Sequence, residues 1–334
     1  MYYSSYLQLD KILNAQELES DKHQKHAHDE MLFIVIHQSY ELWFKQILFE
    51  MRSVHQILSQ PAINDNSPEL ATVVRRLNRV AEILKVLVHK IDILETMTPL
   101  DFLEFRDMLR PASGFQSMQF KELEAVLGLR MEQRHGREYY TSQLTEADKT
   151  TIEAMNSHRT IIELVNSWLQ RMPFDDNIVV DDSTGHEFWY SYGESYDKSL
   201  QEGEKGNVKE YEKLFLLNHQ DPERKLSQSA RRAALFIMLY RDYPILQNPY
   251  KVLNHLLEID ELLANWRWRH MNMVHRMVGT RMGTGGSSGK GYLREAAIKH
   301  YIFTEIAEMT SFMVQRGDLP QLPEELEVHL GFRV

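Results

Sequence analysis

Apolar residues recur along this chain at intervals of three and four, the period of helices with one buried face. Between Asp29 and about Ser59 they fall at Phe33, Ile36, Tyr40, Phe44, Ile47 and Met51. A breaker cluster, PAINDNSP from Pro61 to Pro68, ends that run. From Glu69 to Thr96 the spacing of Leu70, Val73, Leu77, Val80, Leu84, Leu87, Ile91 and Leu94 approaches a heptad seam. Thr98, Pro99 and Asp101 read as an N-cap, a first-turn proline and an acidic first turn, opening a short helix that should end near Pro111. Further helices are expected over Gln116–Leu127, stopped by Gly128, over Thr145–Met172, stopped by Pro173, and over Ser227–Arg241. A long one starts at Asn248-Pro249 and reaches Gly279, with Leu256, Leu263, Trp266, His270, Val274 and Met277 on one face. A glycine-rich loop, Gly279 to Gly291, then leads to a last helix over about Tyr292–Val314. Residues 174–225 break the rhythm with DDNIVVDDSTG, several tyrosines and EGEKGN, and read as a partly irregular insertion with one short helix. No alternating strand pattern and no internal repeat is found. The expectation is an all-α chain, a single large helical-bundle domain over residues 1–334 with an insertion at about 174–225.

Composition narrows the function classes. The 334 residues are 43% hydrophobic, enough for a sizeable core. Acidic residues number 48 against 38 basic, a net charge of −10 that suits no phosphate backbone, so no nucleic-acid partner is expected. The absence of cysteine excludes disulfides, thiolate nucleophiles, cysteine-zinc sites, thiolate-ligated haem and haem attached through CxxCH. The opening MYYSSYLQLDKIL lacks a basic region followed by an apolar core, so no secretory signal is read. The longest apolar run, Ala233 to Tyr240, falls far short of the ~20 residues of a membrane span. A soluble, cytoplasmic protein with no membrane partner is expected.

Several positions carry candidate chemistry. The loop GTRMGTGGSSGKG is not a phosphate loop, because five residues separate Gly283 from Gly289 and Gly291 stands where Ser or Thr should follow the lysine. It follows a helix, which also excludes a dinucleotide fingerprint. It is either a connector or a loop that folds over a site with the hydroxyls of Thr284, Ser287 and Ser288. His37, one turn after Phe33, and His270, one turn after Trp266, each sit on an apolar stripe. Spacing alone does not separate a hydrogen-bonded core histidine from a catalytic or ligating one. His275 lies off the Leu263–Trp266–His270 line, and HQKHAH (His23, His26, His28) is weak evidence for a metal. Arg106 is the sharper anomaly, since Phe102, Phe105 and Leu109 place it on an apolar face. A buried cation without a partner costs on the order of 3–5 kcal/mol. Its partner is therefore either an internal acid or a ligand carboxylate held in a bidentate fork. Pro111-Ala112-Ser113-Gly114 supplies a helix break and free backbone groups next door. In NWRWRH the four arginine and tryptophan side chains point in different directions on a helix, so they form no single binding stripe.

Four blocks taken together resemble the tryptophan 2,3-dioxygenase family of haem enzymes, in the family's order and spacing. They are YLQLDKIL at Tyr6, HDEMLFIVIHQSYELWFKQIL around His37, LETMTPLDFLEFRDMLRPASGFQSMQF around Arg106, and WRWRHMNMVHRMVGTRMGTGGSSG from Trp266 to Gly289. The resemblance covers about residues 3–128 and 227–293, and leaves out the insertion and the tail after about 315. It implies one non-covalent haem b per subunit with His270 as axial ligand to the iron and Trp266 and Lys121 also at the cofactor. Lys121 departs from the pattern, which often has arginine near a haem propionate; Arg110 stands where a small or polar residue is usual. The resemblance further implies that His37 accepts a hydrogen bond from the indole N–H, as an orienter before an essential base. Phe33 and Phe102 would wall the indole, and Arg106 would pair with the substrate carboxylate beside Ser113 and Gly114. Thr284 would contact the ammonium group. Tyr3 and Tyr6 would reach a neighbouring subunit's site, the family being tetrameric. The implied reaction inserts both atoms of O2 across the indole C2–C3 bond of L-tryptophan to give N-formyl-L-kynurenine, the first step of the kynurenine pathway. The rival readings are a related haem monooxygenase acting on a modified tryptophan, and a haem- or tryptophan-binding sensor without turnover. A haem-free helical scaffold ranks below both, because it leaves His37, Arg106 and His270 unexplained.

Overall fold

In the computed structural model, which describes residues 1–129, 144–172, 182–217, 221–279, 281 and 290–331, the regular elements are all helical. Three short helices, α1 (Tyr3–Leu7), α2 (Leu9–Leu13) and α3 (Glu19–Lys22), precede α4 (Glu30–Leu58). The heptad-like seam becomes α5 (Pro68–Leu94), capped by Ser67, whose hydroxyl accepts from the Leu70 amide. All eight seam residues from Leu70 to Leu94 are buried, because α4 closes over one side of α5 and the long late helix over the other. α6 (Pro99–Phe105) opens with the expected cap: Thr98 Oγ1 accepts from the Asp101 amide while the Asp101 carboxylate accepts from the Thr98 amide. It runs into a 3-10 turn over Arg106–Leu109. α7 (Met118–Leu127) ends at Gly128, whose φ of +132° is a conformation that few other residues adopt.

Two expected helices are each two. The run from Thr145 to Met172 is α8 (Glu146–Asn156) and α9 (Ile161–Gln170). Thr160 starts a second capping box with Glu163, and this local signal overrides the continuing apolar period. Between residues 182 and 217 there is more helix than the single short one expected. α10 (Asp182–Ser199) and α11 (Gly206–Tyr211) are followed by a π turn over Glu212–Leu216. Among the described side chains of α10 the buried ones are Trp189, Tyr192 and Tyr196, a ladder at helical spacing. Each tyrosine buries its ring and gives its hydroxyl to a backbone carbonyl, Tyr192 to Phe312 O (2.6 Å) and Tyr196 to Ser311 O (2.8 Å).

α12 (Gln228–Leu239) is capped by Ser227 and packs on α9. The long late helix is α13 (Gln247–Val278), ended by Gly279 at φ +62°. The last expected helix is α14 (Lys290–Lys299) and α15 (Thr304–Glu308), broken at residues 300–303. The break has a cause on α13: Asp260 Oδ2 accepts from the backbone amides of Ile302 and Phe303, both at 2.8 Å. α16 (Glu324–Leu330) buries Leu326 and Leu330 at the C-terminal end. Among the described residues no helix is long and apolar enough to cross a membrane.

Asp65, in the breaker loop between α4 and α5, is buried, and desolvation pushes its carboxyl up to about 7. The Trp168 indole beside it favours the charged form, but neither Asp65 Oδ1 nor Trp168 Nε1 reaches hydrogen-bond geometry. Asp65 therefore holds its proton more tightly when folded than when unfolded, and stability falls as pH rises from about 4 to about 7. Asp65→Asn is expected to raise the unfolding free energy by on the order of 2–4 kcal/mol at pH 8 and by little at pH 4. Urea titrations at the two pH values check this.

Candidate active site

α4 presents Phe33, His37 and Glu41 one turn apart on a single face. His37 Nδ1 lies 2.7 Å from the Phe33 carbonyl oxygen. A carbonyl only accepts, so Nδ1 carries the proton and Nε2 of the neutral ring is left as an acceptor. His37 is exposed by area, yet burial is the main reason its pKa is lowered. Both hold if the ring lines a recess, open at the ring but walled by protein. The hydrogen bond to Phe33 and the charge of Glu41 pull its pKa the other way.

The first wall is aromatic. Phe33 sits 4.1 Å from the His37 ring, 5.8 Å from Phe102 and 5.5 Å from Phe105, and Phe102 meets Phe105 edge-on at 5.5 Å. Phe105 is fully buried and props the two half-buried rings. Arg106 follows it at the end of α6 and is only 4% exposed, so the cation expected on an apolar face is indeed inside. Ser113 and Gly114 follow at the next turn: Ser113 caps Gly114–Gln116, accepting from the Phe115 amide while Gln116 accepts from the Ser113 amide. A Cβ on Gly114 would meet nothing within 4 Å, so this corner opens outward.

The second wall is α13. The Trp266 and His270 rings stack with centroids 5.0 Å apart and planes 5° apart. Phe120 of α7 lies 4.9 Å from Trp266, and Tyr40 of α4 meets it edge-on at 6.0 Å. Neither His270 ring nitrogen has a hydrogen-bond partner among the described residues, and burial pushes the pKa down to about 4. The second contribution to that depression is the charge of His37, so the two imidazoles lie near each other. His275 is exposed on another face of α13.

Trp266 is held by its neighbours in sequence. Arg267 is buried against Glu124 of α7 (2.8 Å) and donates to the His300 carbonyl (3.0 Å). Arg269 pairs with Asp92 and Glu95 of α5, while Trp268 is 46% exposed. The four NWRWRH side chains do point four ways, with both arginines engaged inside the molecule. Glu41, Phe120 and Glu124 were missed in the sequence. Of the three, Glu41 had a local signal, its place one turn after His37.

Other predicted positions fall elsewhere. Lys121 is buried, one residue beyond Phe120. Tyr3 and Tyr6 are 72% and 68% exposed, and no residue of α1 or α2 is buried. That arm nevertheless leaves beside the site, since Gln38, next to His37, bonds to Ala15 O (2.9 Å) and to the Gln16 side chain (2.7 Å). Thr284, Ser287 and Ser288 lie outside the described residues. In HQKHAH, His26 pairs with Asp21 and His23 with the Glu19 carbonyl; among the described residues no three potential ligands cluster for a metal ion.

The family model for tryptophan 2,3-dioxygenase matches residues 1–313. The chain belongs to the tryptophan 2,3-dioxygenase family. Proteins of that name from Alteromonas mediterranea and Dictyostelium discoideum are each 40% identical, over 99% of this chain and 97% and 88% of their own lengths. The Xenopus tropicalis protein of that name is 39% identical over 96% of this chain and 84% of its own length. Tryptophan 2,3-dioxygenases are haem-dependent, and the recess fits that cofactor on its own terms. A neutral imidazole with no hydrogen-bond partner among the described residues, held flat against an indole, has a lone pair of the kind an iron ligand needs.

Proposed function

We propose that this protein is a cytoplasmic haem enzyme that inserts both atoms of O2 across the C2–C3 bond of L-tryptophan to give N-formyl-L-kynurenine. The observation that carries the reading is the pair of neutral histidines in one recess with opposite hydrogen-bond states. His270, with no hydrogen-bond partner among the described residues, would hold one non-covalent haem b through its imidazole, and Trp266 and Lys121 would also line the cofactor. The cofactor, when bound, supplies the iron at which dioxygen is activated.

The chain's own residues do the rest. His37 donates its Nδ1–H to the Phe33 carbonyl, so Nε2 is left to accept the indole N–H and turn the C2–C3 edge toward the cofactor. A lowered pKa keeps it a neutral acceptor at neutral pH. Phe33 and Phe102 bracket the indole and exclude water. Arg106, buried in low dielectric, takes the carboxylate as a bidentate fork beside Ser113 and Gly114, and Thr284 takes the ammonium group. The two charged ends of the amino acid thereby fix which atoms meet the oxygen.

In this reading the active unit is a homotetramer in which Tyr3 and Tyr6 reach the recess of a neighbouring subunit. Two features support it. The first two helices expose Tyr3, Tyr6 and Leu13 and bury none of their own residues. Between α4 and α5 a groove of about 680 Å³ is lined by Leu42, Trp43, Gln46, Arg79 and Ile83, and Leu42 in it is exposed.

Haem-loaded, reduced protein given L-tryptophan and ¹⁸O2 is expected to yield one product carrying two heavy atoms by mass spectrometry. A single heavy atom would point to a monooxygenase, and haem binding without product to a sensor. His270→Ala is expected to abolish haem retention through gel filtration, read from Soret absorbance, whereas His275→Ala retains it; the reverse result assigns the wrong histidine. Arg106→Leu is expected to raise KM for tryptophan on the order of 100-fold with the haem spectrum intact. Unchanged KM would remove Arg106 from the substrate.

A further inference from the structure

Residues 113–117 form an outlying corner of the recess. Gly114 meets open space, and Ala112, Gly114 and Gln116 are exposed. Internally the corner is stiff: the Ser113–Gln116 capping box closes it, the Gln116 amide bonds to Ser113 O (2.9 Å) and the Ser117 amide to Gly114 O (3.1 Å). A stiff turn keeps its own shape, and a tie to α4 sets its place relative to the His37 wall.

Glu41 is that anchor. Ser117 Oγ donates to Glu41 Oε1 at 2.6 Å, and Gln119 Nε2 donates to Oε2 at 2.7 Å and to the Glu41 carbonyl at 2.8 Å. Both carboxylate oxygens are thus spent on neutral donors from one short segment, and among the described residues Glu41 makes no ion pair. Hydrogen bonds to an ionised acceptor are the stronger class. Having given its proton to Glu41, Ser117 Oγ still accepts from the Phe120 amide at 3.3 Å and so caps α7. Phe120 is the residue that backs Trp266, and Trp266 backs His270.

We propose that Glu41 is a positioning residue for the reaction, tying the helix that carries His37 to the segment that carries Ser113 and Gly114 and to the start of α7. It touches neither substrate nor cofactor. It sets how far the substrate-holding corner stands from the His37 face, and it does so from one turn away on that same face. The inference rests on the tryptophan-dioxygenase reading of the recess, and its test separates the two.

The variants are Glu41→Gln, Glu41→Ala, Ser117→Ala and the double Glu41→Ala/Ser117→Ala, all haem-loaded. Glu41→Ala is expected to raise KM for L-tryptophan about 10- to 100-fold, the scale of a misplaced binding group, with Soret absorbance and haem content unchanged. Glu41→Gln, which keeps the shape and one acceptor, should fall between it and the wild type. It also serves if Glu41→Ala does not fold. The two single changes should be less than additive in the double variant, because both cut the same link, while the cap Ser117 gives α7 is lost in Ser117→Ala as well. Unchanged KM, or additive effects in the double variant, overturns the proposal. Amide hydrogen exchange reads the clamp without turnover: residues 113–120 should exchange faster in Glu41→Ala while α5 stays protected, and equal rates would also overturn it. If the wild type forms no product, tryptophan affinity under anaerobic conditions replaces KM, with a drop in Glu41→Ala supporting the clamp and equal affinity overturning it. A wild type that exchanges as expected but neither binds nor oxidises tryptophan sinks the function and the positioning role together, leaving the clamp as a purely structural tie.

Discussion

Leu70, Val73, Leu77, Val80, Leu84, Leu87, Ile91 and Leu94 run the length of α5 without reaching solvent, and that is possible only because α4 and α13 both lie along it. Everything at the site hangs on this sandwich. His37 is on one flanking helix and His270 on the other, so the recess between the imidazoles is a by-product of how two long helices share one apolar neighbour. Burying eight aliphatic side chains contributes about 1.5–3 kcal/mol each before conformational entropy is set against it. A cavity-forming change in the α5 seam would therefore reach the chemistry through helix position, without touching a site residue.

The ionic contacts refine what the apolar seam leaves loose. An apolar face constrains the rotation of a helix well and its sliding poorly, since aliphatic side chains tolerate small shifts of partner. The Arg267–Glu124 pair, both about 5% exposed, resists sliding between α13 and α7, because either group alone would be a buried uncompensated charge. Its place beside Trp266 puts this constraint at the level of the Trp266–His270 stack. Arg269 does the same between α13 and α5 through Asp92 and Glu95. Glu41 adds a tie between α4 and the start of α7, by hydrogen bonds from neutral donors and not by an ion pair.

What could be read in the sequence follows the range of the forces involved. The stripes of α4, α5 and α13 were legible because burial of one face imposes a period, and Arg106 was legible as a charge on such a face. The break at Thr160 was present as T-x-x-E but lay within a persistent apolar period, which hid it. The break at residues 300–303 has no local signal at all; its cause is Asp260, some forty residues earlier on α13. The α10 ladder was missed because tyrosine reads as polar until its hydroxyl finds a carbonyl, as those of Tyr192 and Tyr196 do. At the site, single residues were legible and their assembly was not. Nothing in FQSMQF says that Ser117 and Gln119 will meet a glutamate 76 and 78 residues away.

The two histidines show how far environment, and not residue type, assigns a role. Both are neutral and both have a pKa lowered first by burial. His37 keeps a backbone acceptor for one nitrogen and a carboxylate one turn away, which fixes its tautomer and limits the fall in its pKa. That makes it a directed acceptor for one N–H. Among the described residues His270 has neither, and its ring is stacked flat on Trp266. Stacking fixes the plane of a ring while leaving both nitrogens free, and an imidazole so held can give a lone pair to a metal at no cost in broken hydrogen bonds. An acceptor at residue 266 in place of the indole would tie up one of those nitrogens. In the proposed reading of His270 as the iron's ligand, the flat apolar face of Trp266 prepares the ring as much as the histidine itself does.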